Sequence, residues 1–139
     1  MGKSFAASVD IRAPAEKVWS ILTDAAAYPS WNSTVDRVEG TITPGARIVV
    51  HAKVSPGRAF PVTVSTLEAP RRMVWTGGMP LGLFVGERTF TVEPQGDGAR
   101  FTMREAFTGL LAPLIGRQIP DLQPAFEEFA ACLKRCAER

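Results

Sequence analysis

The sequence has few of the residues that metal-dependent and histidine-based sites require. Its 139 residues include one histidine and two cysteines, and its net charge is only +2. A single histidine without clustered carboxylates or cysteines does not make a metal site, so we predict no metal and no other cofactor. The small net charge, without a run of lysine and arginine, predicts no nucleic-acid partner.

Long apolar runs are also missing. No stretch approaches the length needed to span a membrane, and the N-terminus has neither the basic nor the apolar region of a signal peptide. We therefore expect a cytoplasmic protein without a membrane span. Hydrophobic residues make up 45% of the chain and charged residues 22%, which is typical of a globular protein. We predict a single domain over residues 1–139.

Apolar periodicity predicts a strand, two short helices, six further strands and a long C-terminal helix. The second helical turn, over residues 24–28, is expected to stop at Pro29. Consecutive short strands joined by Gly- and Pro-containing turns favour an antiparallel sheet with the helices on one face. The fold class is therefore α+β. The predicted strands are 4–12, 35–39, 47–54, 60–67, 72–76, 86–92 and 101–107.

The C-terminal helix is predicted from an apolar stripe that includes Phe126 and Phe129, with Pro124 in its first turn. Cys132 and Cys136 lie one helical turn apart on it. Side chains at this spacing point the same way, which is a poor geometry for a disulfide. We predict two reduced thiols on this helix.

The hairpin formed by the last two strands carries one charge on the apolar face of each arm. Arg88 shares its face with Phe90, and Glu105 shares its face with Met103. A tight turn at 95–98, centred between Gly96 and Asp97, places Arg88 opposite Glu105 and Phe90 opposite Met103. The sequence thus predicts a polar spot in an otherwise apolar interior.

Three interpretations of this pair remain open. Arg88 binds a ligand carboxylate or phenolate while Glu105 orients it or serves as an acid/base. Alternatively, the two residues form a structural cross-strand pair, or a register slip turns one of them outward. An arginine partner holds a carboxylate charged, which makes it a poor proton shuttle, so we favour the structural pair over catalysis. Ligand contact is compatible with either.

His51 alternates with Arg47 and Lys53, which places it on the outer face of its strand. We predict a surface histidine and no histidine-based chemistry. Two loops, 79–84 and 110–114, carry more apolar bulk than solvated loops need. They form a cavity mouth or lid, or the surface of a homodimer.

Four segments carry a resemblance to a known family. They are Ile11 to Trp19, Asp24 to Asn32, Gly86 to Phe90 and Thr102 to Gly109. Together they resemble the polyketide cyclase/dehydrase and lipid-transport family of the START and Bet v 1-like (SRPBCC) superfamily. The resemblance implies a helix-grip fold, in which a curved seven-stranded antiparallel sheet wraps around the long C-terminal helix. It also implies a cavity between sheet and helix.

The resemblance implies binding of a small hydrophobic or amphipathic ligand in that cavity. A cyclase or dehydratase of polyketide type, with Glu105 as its acid/base, is an alternative, and so is a protein-interaction domain like the chaperone-binding branch. Whether the chain is an enzyme therefore stays open. For each aromatic residue, packing in the core is the simplest interpretation. The expected ligand-binding residues are Arg88, Glu105, Trp31, Trp75, Phe90, Met103, Phe107, Phe126 and Phe129.

Overall fold

The computed structural model describes residues 3–139. It has seven strands, of which the first precedes and the others follow a pair of short helices. The helices are α1 (Ala15–Leu22), α2 (Tyr28–Trp31), α3 (Ala112–Ile115) and α4 (Gln123–Ala137). The strands are β1 (Ser4–Ile11), β2 (Val35–Glu39), β3 (Arg47–Ala52), β4 (Phe60–Glu68), β5 (Arg72–Gly78), β6 (Val85–Gln95) and β7 (Gly98–Thr108).

All seven strands form one curved antiparallel sheet in the order β1-β7-β6-β5-β4-β3-β2. Helix α4 lies across its concave face, where the Phe129 ring stacks on the Phe101 ring with 6.1 Å between centroids. The predicted antiparallel sheet, the two short helices after its first strand and the long C-terminal helix are confirmed. Pro124 lies in the first turn of α4, as predicted, because proline lacks only a donor that the first turn does not use.

The prediction that Pro29 ends a helical turn is wrong. Residues 25–27 form a 3-10 turn, and α2 then continues through Pro29. Proline is tolerated there because it occupies the first turn of α2, where its missing N–H has no helical acceptor. The consequence is that Tyr28 and Trp31 lie on one short helix and both are buried.

The hairpin of β6 and β7 has the predicted register. Phe90 pairs with Met103, Arg88 pairs with Glu105, and the two strands meet at the pair Gln95 and Gly98. His51 lies on the outer face of β3, as predicted, because Ile48 and Val50 on the same strand face the core. There its Nε2 pairs with the Glu39 carboxylate.

Helix α4 also covers the free edge of the sheet at β1. The Gln123 amide donates through Nε2 to the Ala6 carbonyl at 2.7 Å and accepts from the Ala6 N–H at 3.4 Å. Lys134 Nζ donates to the Asp10 carbonyl at 2.8 Å. The Arg12 N–H donates to Glu138 Oε2, also at 2.8 Å. Side chains of α4 and of Glu138 directly after it therefore replace part of the partner strand that β1 lacks.

Candidate ligand-binding site

Arg88 and Glu105 form an ion pair on the concave face. Arg88 Nε donates to Glu105 Oε1 at 2.7 Å, and Nη2 lies 2.6 Å from the same oxygen. The Arg88 side chain is 22% exposed and the Glu105 side chain 13% exposed. The charges are therefore half-buried, where an ion pair is screened less by solvent than at the surface.

The geometry leaves part of this pair free. Among residues 3–139, neither Glu105 Oε2 nor Arg88 Nη1 has a hydrogen-bond partner. Oε2 lies over Gly86, where an added Cβ would come within 3.1 Å of it and within 3.1 Å of the Phe107 ring. Because glycine at position 86 has no side chain, the Glu105 carboxylate can lie over it without a steric clash. On its other side, the guanidinium Cζ lies 4.8 Å from the centroid of the Phe126 ring, a favourable cation–π distance.

The ion pair belongs to a row of side chains that crosses the sheet. Glu105 is the register partner of Arg88 on one side, and Trp75 is its partner on the other. Directly opposite residues on neighbouring strands point to the same face. One buried tryptophan therefore lies beside the charged pair, on the face that α4 covers.

A cluster of six aromatic rings packs in the interior next to this row: Tyr28, Trp31, Trp75, Phe90, Phe101 and Phe129. Trp31 lies 4.8 Å from Tyr28 and 5.7 Å from Phe129, measured between ring centroids. Trp75 lies 4.7 Å from Phe90 and 6.4 Å from Tyr28. Because α2, α4, β5, β6 and β7 each contribute to it, the cluster joins the helices to the sheet.

A second group of rings lies at the Arg88 end of the interior. Phe5 is 6.5 Å from Phe107 and 6.1 Å from Phe126. Phe84 stacks on Phe107 with 5.6 Å between centroids. The Arg88–Glu105 pair therefore lies between two aromatic groups. One is the buried cluster that contains Trp75, and the other is the group that contains Phe107.

Three buried donors in the interior have no hydrogen-bond partner among residues 3–139. They are the indole Nε1 atoms of Trp31 and Trp75 and the Nδ2 atom of Asn32. The Asn32 amide is oriented by its oxygen, which accepts from the Thr34 N–H at 2.9 Å and from the Thr34 hydroxyl at 2.6 Å. A buried donor left unsatisfied is costly. The interior therefore has a surplus of donors and is not a purely apolar core.

Tyr28, by contrast, has its hydroxyl satisfied, since it donates to the Leu22 carbonyl at 2.6 Å. Burial raises the pKa of Tyr28 well above its ordinary value, the Arg88 charge partly offsets this rise, and Asp24 adds to it. The phenol therefore stays neutral and does not act as a base.

Because Tyr28 is the only tyrosine, its ionisation is a direct probe of the fold. A raised pKa in the folded state means that stability is lost as the pH rises above the unfolded tyrosine pKa of about 10. In an alkaline titration, we expect tyrosinate absorbance to appear only with unfolding, monitored in parallel by circular dichroism. Tyrosinate formation at about pH 10 in a fully folded chain would contradict this.

Two loops next to the Arg88 end expose large apolar side chains. Leu81 is 94% exposed and Leu110 81% exposed, and Leu114 and Met79 are also exposed. The loops are joined by a hydrogen bond from the Leu111 N–H to the Leu83 carbonyl at 2.8 Å. The apolar tips that the sequence predicts are therefore present as one connected surface. Their use as a lid or in a homodimer stays a prediction.

A groove of about 590 Å³ lies elsewhere, on the outside between β1 and α4. Its walls include Gln123 and Lys134, which already bond the β1 edge. None of the predicted ligand-binding residues lines it. We therefore place the candidate site at the ion pair and not at this groove.

The structure brings most of the predicted site residues together. Arg88 and Glu105 form an ion pair. Met103 is buried opposite Phe90. The other predicted residues belong to the two aromatic groups: Trp31, Trp75, Phe90, Phe107, Phe126 and Phe129. The sequence did not predict Phe5 and Asn32 as site residues. The alternation of β1 placed Phe5 on a buried face and could have indicated it; no spacing signal indicates Asn32.

The protein has a helix-grip fold, in which the sheet and α4 enclose a mostly apolar interior that contains one ion pair. The chain belongs to the polyketide cyclase/dehydrase and lipid transport family, whose model matches residues 3–139. Comparison with curated proteins gave no match. Among residues 3–139, no helix is both long and apolar enough to cross a membrane, and no three His, Cys, Asp or Glu residues group as metal ligands.

Solved structures with the same fold are distant in sequence. A START superfamily protein from Mycobacterium smegmatis is 17% identical, with a TM-score of 0.72 over 99% of this chain and 98% of that one. The Zhui aromatase/cyclase from a Streptomyces species is 15% identical, with a TM-score of 0.73 over 99% and 94%. A protein from Mesorhizobium loti is 19% identical, with a TM-score of 0.74 over 96% and 95%. At these identities the likeness shows the fold alone.

Proposed function

We propose that the protein binds a small amphipathic molecule between the sheet and α4, with the polar group of the ligand at Arg88 and Glu105. The observation that carries the proposal is the half-buried ion pair with an unpartnered carboxylate oxygen and an unpartnered guanidinium nitrogen. Small-molecule sites are mostly apolar, with a few polar groups that fix orientation. The pair and the aromatic rings on both sides of it have this composition.

Arg88 defines the ligand chemistry at this end. Its Nη1 donor has no hydrogen-bond partner among residues 3–139, and a charged donor favours a carboxylate, sulfonate or phenolate oxygen. The rings of Phe126 and Phe107 beside it offer contact to an apolar body. An anion with an aromatic body is therefore the ligand class that this end fits best.

Binding is better supported than catalysis. A cyclase or dehydratase needs a group that gives up and accepts a proton, and Glu105 is the carboxylate available on this face. Both Nε and Nη2 of Arg88 lie on its Oε1, so this oxygen is already engaged by the guanidinium. Glu105 is thereby suited to orienting a ligand more than to transferring protons.

The proposal can be tested with anilinonaphthalene sulfonate, an anionic aromatic probe. The fluorescence of the probe should rise on binding to the folded protein, and Arg88→Gln should weaken binding about tenfold, as expected from the loss of one charge-assisted hydrogen bond. Arg88→Lys, which keeps the charge, should lose less. Native mass spectrometry with organic extraction of the purified protein would then identify a co-purifying ligand.

Arg104 offers a matched control, because it lies next to Glu105 on β7 but on the opposite, exposed face. Arg104→Gln should leave the affinity for the probe unchanged. Circular dichroism must show that each variant is folded. Equal affinity of the Arg88→Gln, Arg104→Gln and parent proteins, or no binding by the folded parent, would refute the proposal.

A further inference from the structure

We propose that the groove on the outside of the molecule, between β1 and α4, binds a short peptide whose amino and carboxyl ends are both free. The peptide lies extended along the β1 edge and parallel to β1, with its carboxylate at Lys134 and its ammonium group at Glu127. None of the residues proposed to bind a ligand in the interior lines this groove. The proposal therefore does not depend on the proposed function.

The groove is open because α4 presents short side chains where it passes the middle of β1. Gln123 reaches the backbone of Ala6, and Lys134 reaches the backbone of Asp10. Between these two contacts, two alanines of the helix line the groove, and a methyl group is too short to reach the strand. The resulting volume of about 590 Å³ lies within the range of small-molecule sites.

Ser8 presents backbone hydrogen-bonding groups to this groove. In an antiparallel pair, alternate residues direct their N–H and C=O groups to the same side of the strand. Ala6 and Asp10 direct theirs to α4, and Ser8 lies between them on β1 and lines the groove. Among residues 3–139, the only side-chain bond of Ser8 joins its hydroxyl to Thr102. Its N–H and C=O therefore offer one donor and one acceptor to a ligand.

One donor and one acceptor on the same residue match an extended peptide. In a parallel arrangement, the N–H of a strand residue donates to the C=O before the facing residue, and its C=O accepts from the N–H after that residue. A tripeptide has these two groups on either side of its middle residue. A longer strand cannot pair here, because the Ala6 groups and the Asp10 carbonyl are already occupied by α4.

The two ends of the groove carry opposite charges. At one end, the Glu127 carboxylate accepts from Gln123 Nε2 at 2.9 Å and forms no ion pair within the described part of the chain. At the other end, Lys134 Nζ donates to the Asp10 carbonyl at 2.8 Å and to Glu138 at 2.6 Å. An ammonium group has three donors, so one donor of Lys134 is left for a ligand.

The distance between these ends fits a tripeptide. Ala6 and Asp10, which mark the two ends, are four residues apart, or about 13 Å along a strand. A tripeptide is about 10 Å long between its terminal charges. Arg135 also lines the groove and follows Lys134 in the chain, so it adds a second cation for the carboxylate. Hydrogen bonds between charged groups are stronger than neutral ones, and the groove therefore favours a peptide with free ends.

Trialanine and its capped form test this directly. The capped form is acetylated at the N-terminus and amidated at the C-terminus, so it keeps the amide groups and lacks both charges. The folded protein should bind trialanine about tenfold more tightly than the capped peptide, as expected for the loss of charge-assisted hydrogen bonds. In an NMR titration of the 15N-labelled protein, trialanine should move the Ser8 N–H signal downfield, because this group gains an acceptor.

Two alanine substitutions on α4 provide a variant and its matched control. Ala131→Leu fills the groove and should lower the affinity for trialanine about tenfold. Ala125→Leu makes the same change at another partly buried residue of α4 that does not line the groove, and it should leave the affinity unchanged. Both variants should bind anilinonaphthalene sulfonate as the parent protein does, since that probe tests the interior.

Glu127→Gln gives a second test at an exposed residue. It should weaken the binding of trialanine about fivefold, as expected for the loss of one hydrogen bond between charged groups. The binding of trialanine that is acetylated at its N-terminus should not change, because this peptide has no ammonium group.

Four results would overturn the proposal. They are no binding of trialanine by the folded protein, equal affinities for the free and the capped peptide, undiminished binding by folded Ala131→Leu, and a Ser8 signal that does not move at saturation. None of them would affect the proposed function, which is tested by the anionic probe and Arg88→Gln.

Discussion

Replacing Phe129 by alanine should lower the free energy of unfolding by about 3–5 kcal/mol, the range for deleting a buried aromatic ring. Phe129 is 2% exposed and contacts rings from three other elements, among them Trp31 on α2 and Phe90 on β6. Its removal would open a void between α4 and the sheet. Urea unfolding, followed by circular dichroism, measures the change.

Phe60 provides the control for this substitution. It is the same residue type but is 38% exposed at the start of β4, so Phe60→Ala should cost less than about 1 kcal/mol. Similar losses for the two variants would mean that α4 is not fixed to the sheet through Phe129. A change in the urea m-value would instead point to a change in the compactness of the denatured state.

Breaking the Arg88–Glu105 pair should have the second largest effect. Arg88→Met or Glu105→Gln should each cost about 2 kcal/mol, less than the loss for a fully buried pair because both side chains keep some solvent contact. The double variant should cost less than the sum of the two single variants, with a coupling of about 1–2 kcal/mol. Urea unfolding of the parent and the three variants measures this coupling.

The pair Arg100–Asp10 is the matched control. It also joins an arginine to a carboxylate across neighbouring strands, at 3.2 Å, but its side chains are largely exposed. Its coupling should be below about 1 kcal/mol, as for surface ion pairs generally. Equal couplings for the two pairs would mean that the concave face gives Arg88 and Glu105 no special environment.

The hairpin shows what could be predicted from the sequence. Alternation assigned the buried face of each arm, and a two-residue turn left one register for the arms. That was enough to place Arg88 opposite Glu105 before the sheet order was known. Helix α4 was predictable for a similar reason, since Pro124 and the apolar stripe determine its start and its buried side.

The unpartnered indole donors of Trp31 and Trp75 could not be predicted in this way. Trp31 and Trp75 are far apart in the chain, and their proximity depends on how α2 packs against β5 through Tyr28. Periodicity gives the face of a strand or helix but not the direction of an indole N–H, which depends on side-chain rotamers. The sequence interpretation also ended the helical turn at Pro29, which hid the common helix of Tyr28 and Trp31.

The contacts of α4 with the β1 edge have a consequence for aggregation. Gln123 and Lys134 occupy backbone groups of β1 that another polypeptide strand would otherwise use, and Glu138 occupies the N–H of Arg12 directly after it. An uncovered edge strand is a template for intermolecular pairing. A chain truncated before α4, or one in which this helix has come loose, would therefore lose solubility as well as the cover of its aromatic interior. Helix α4 therefore has two roles, since it covers the interior and also prevents the β1 edge from pairing with a strand of another molecule.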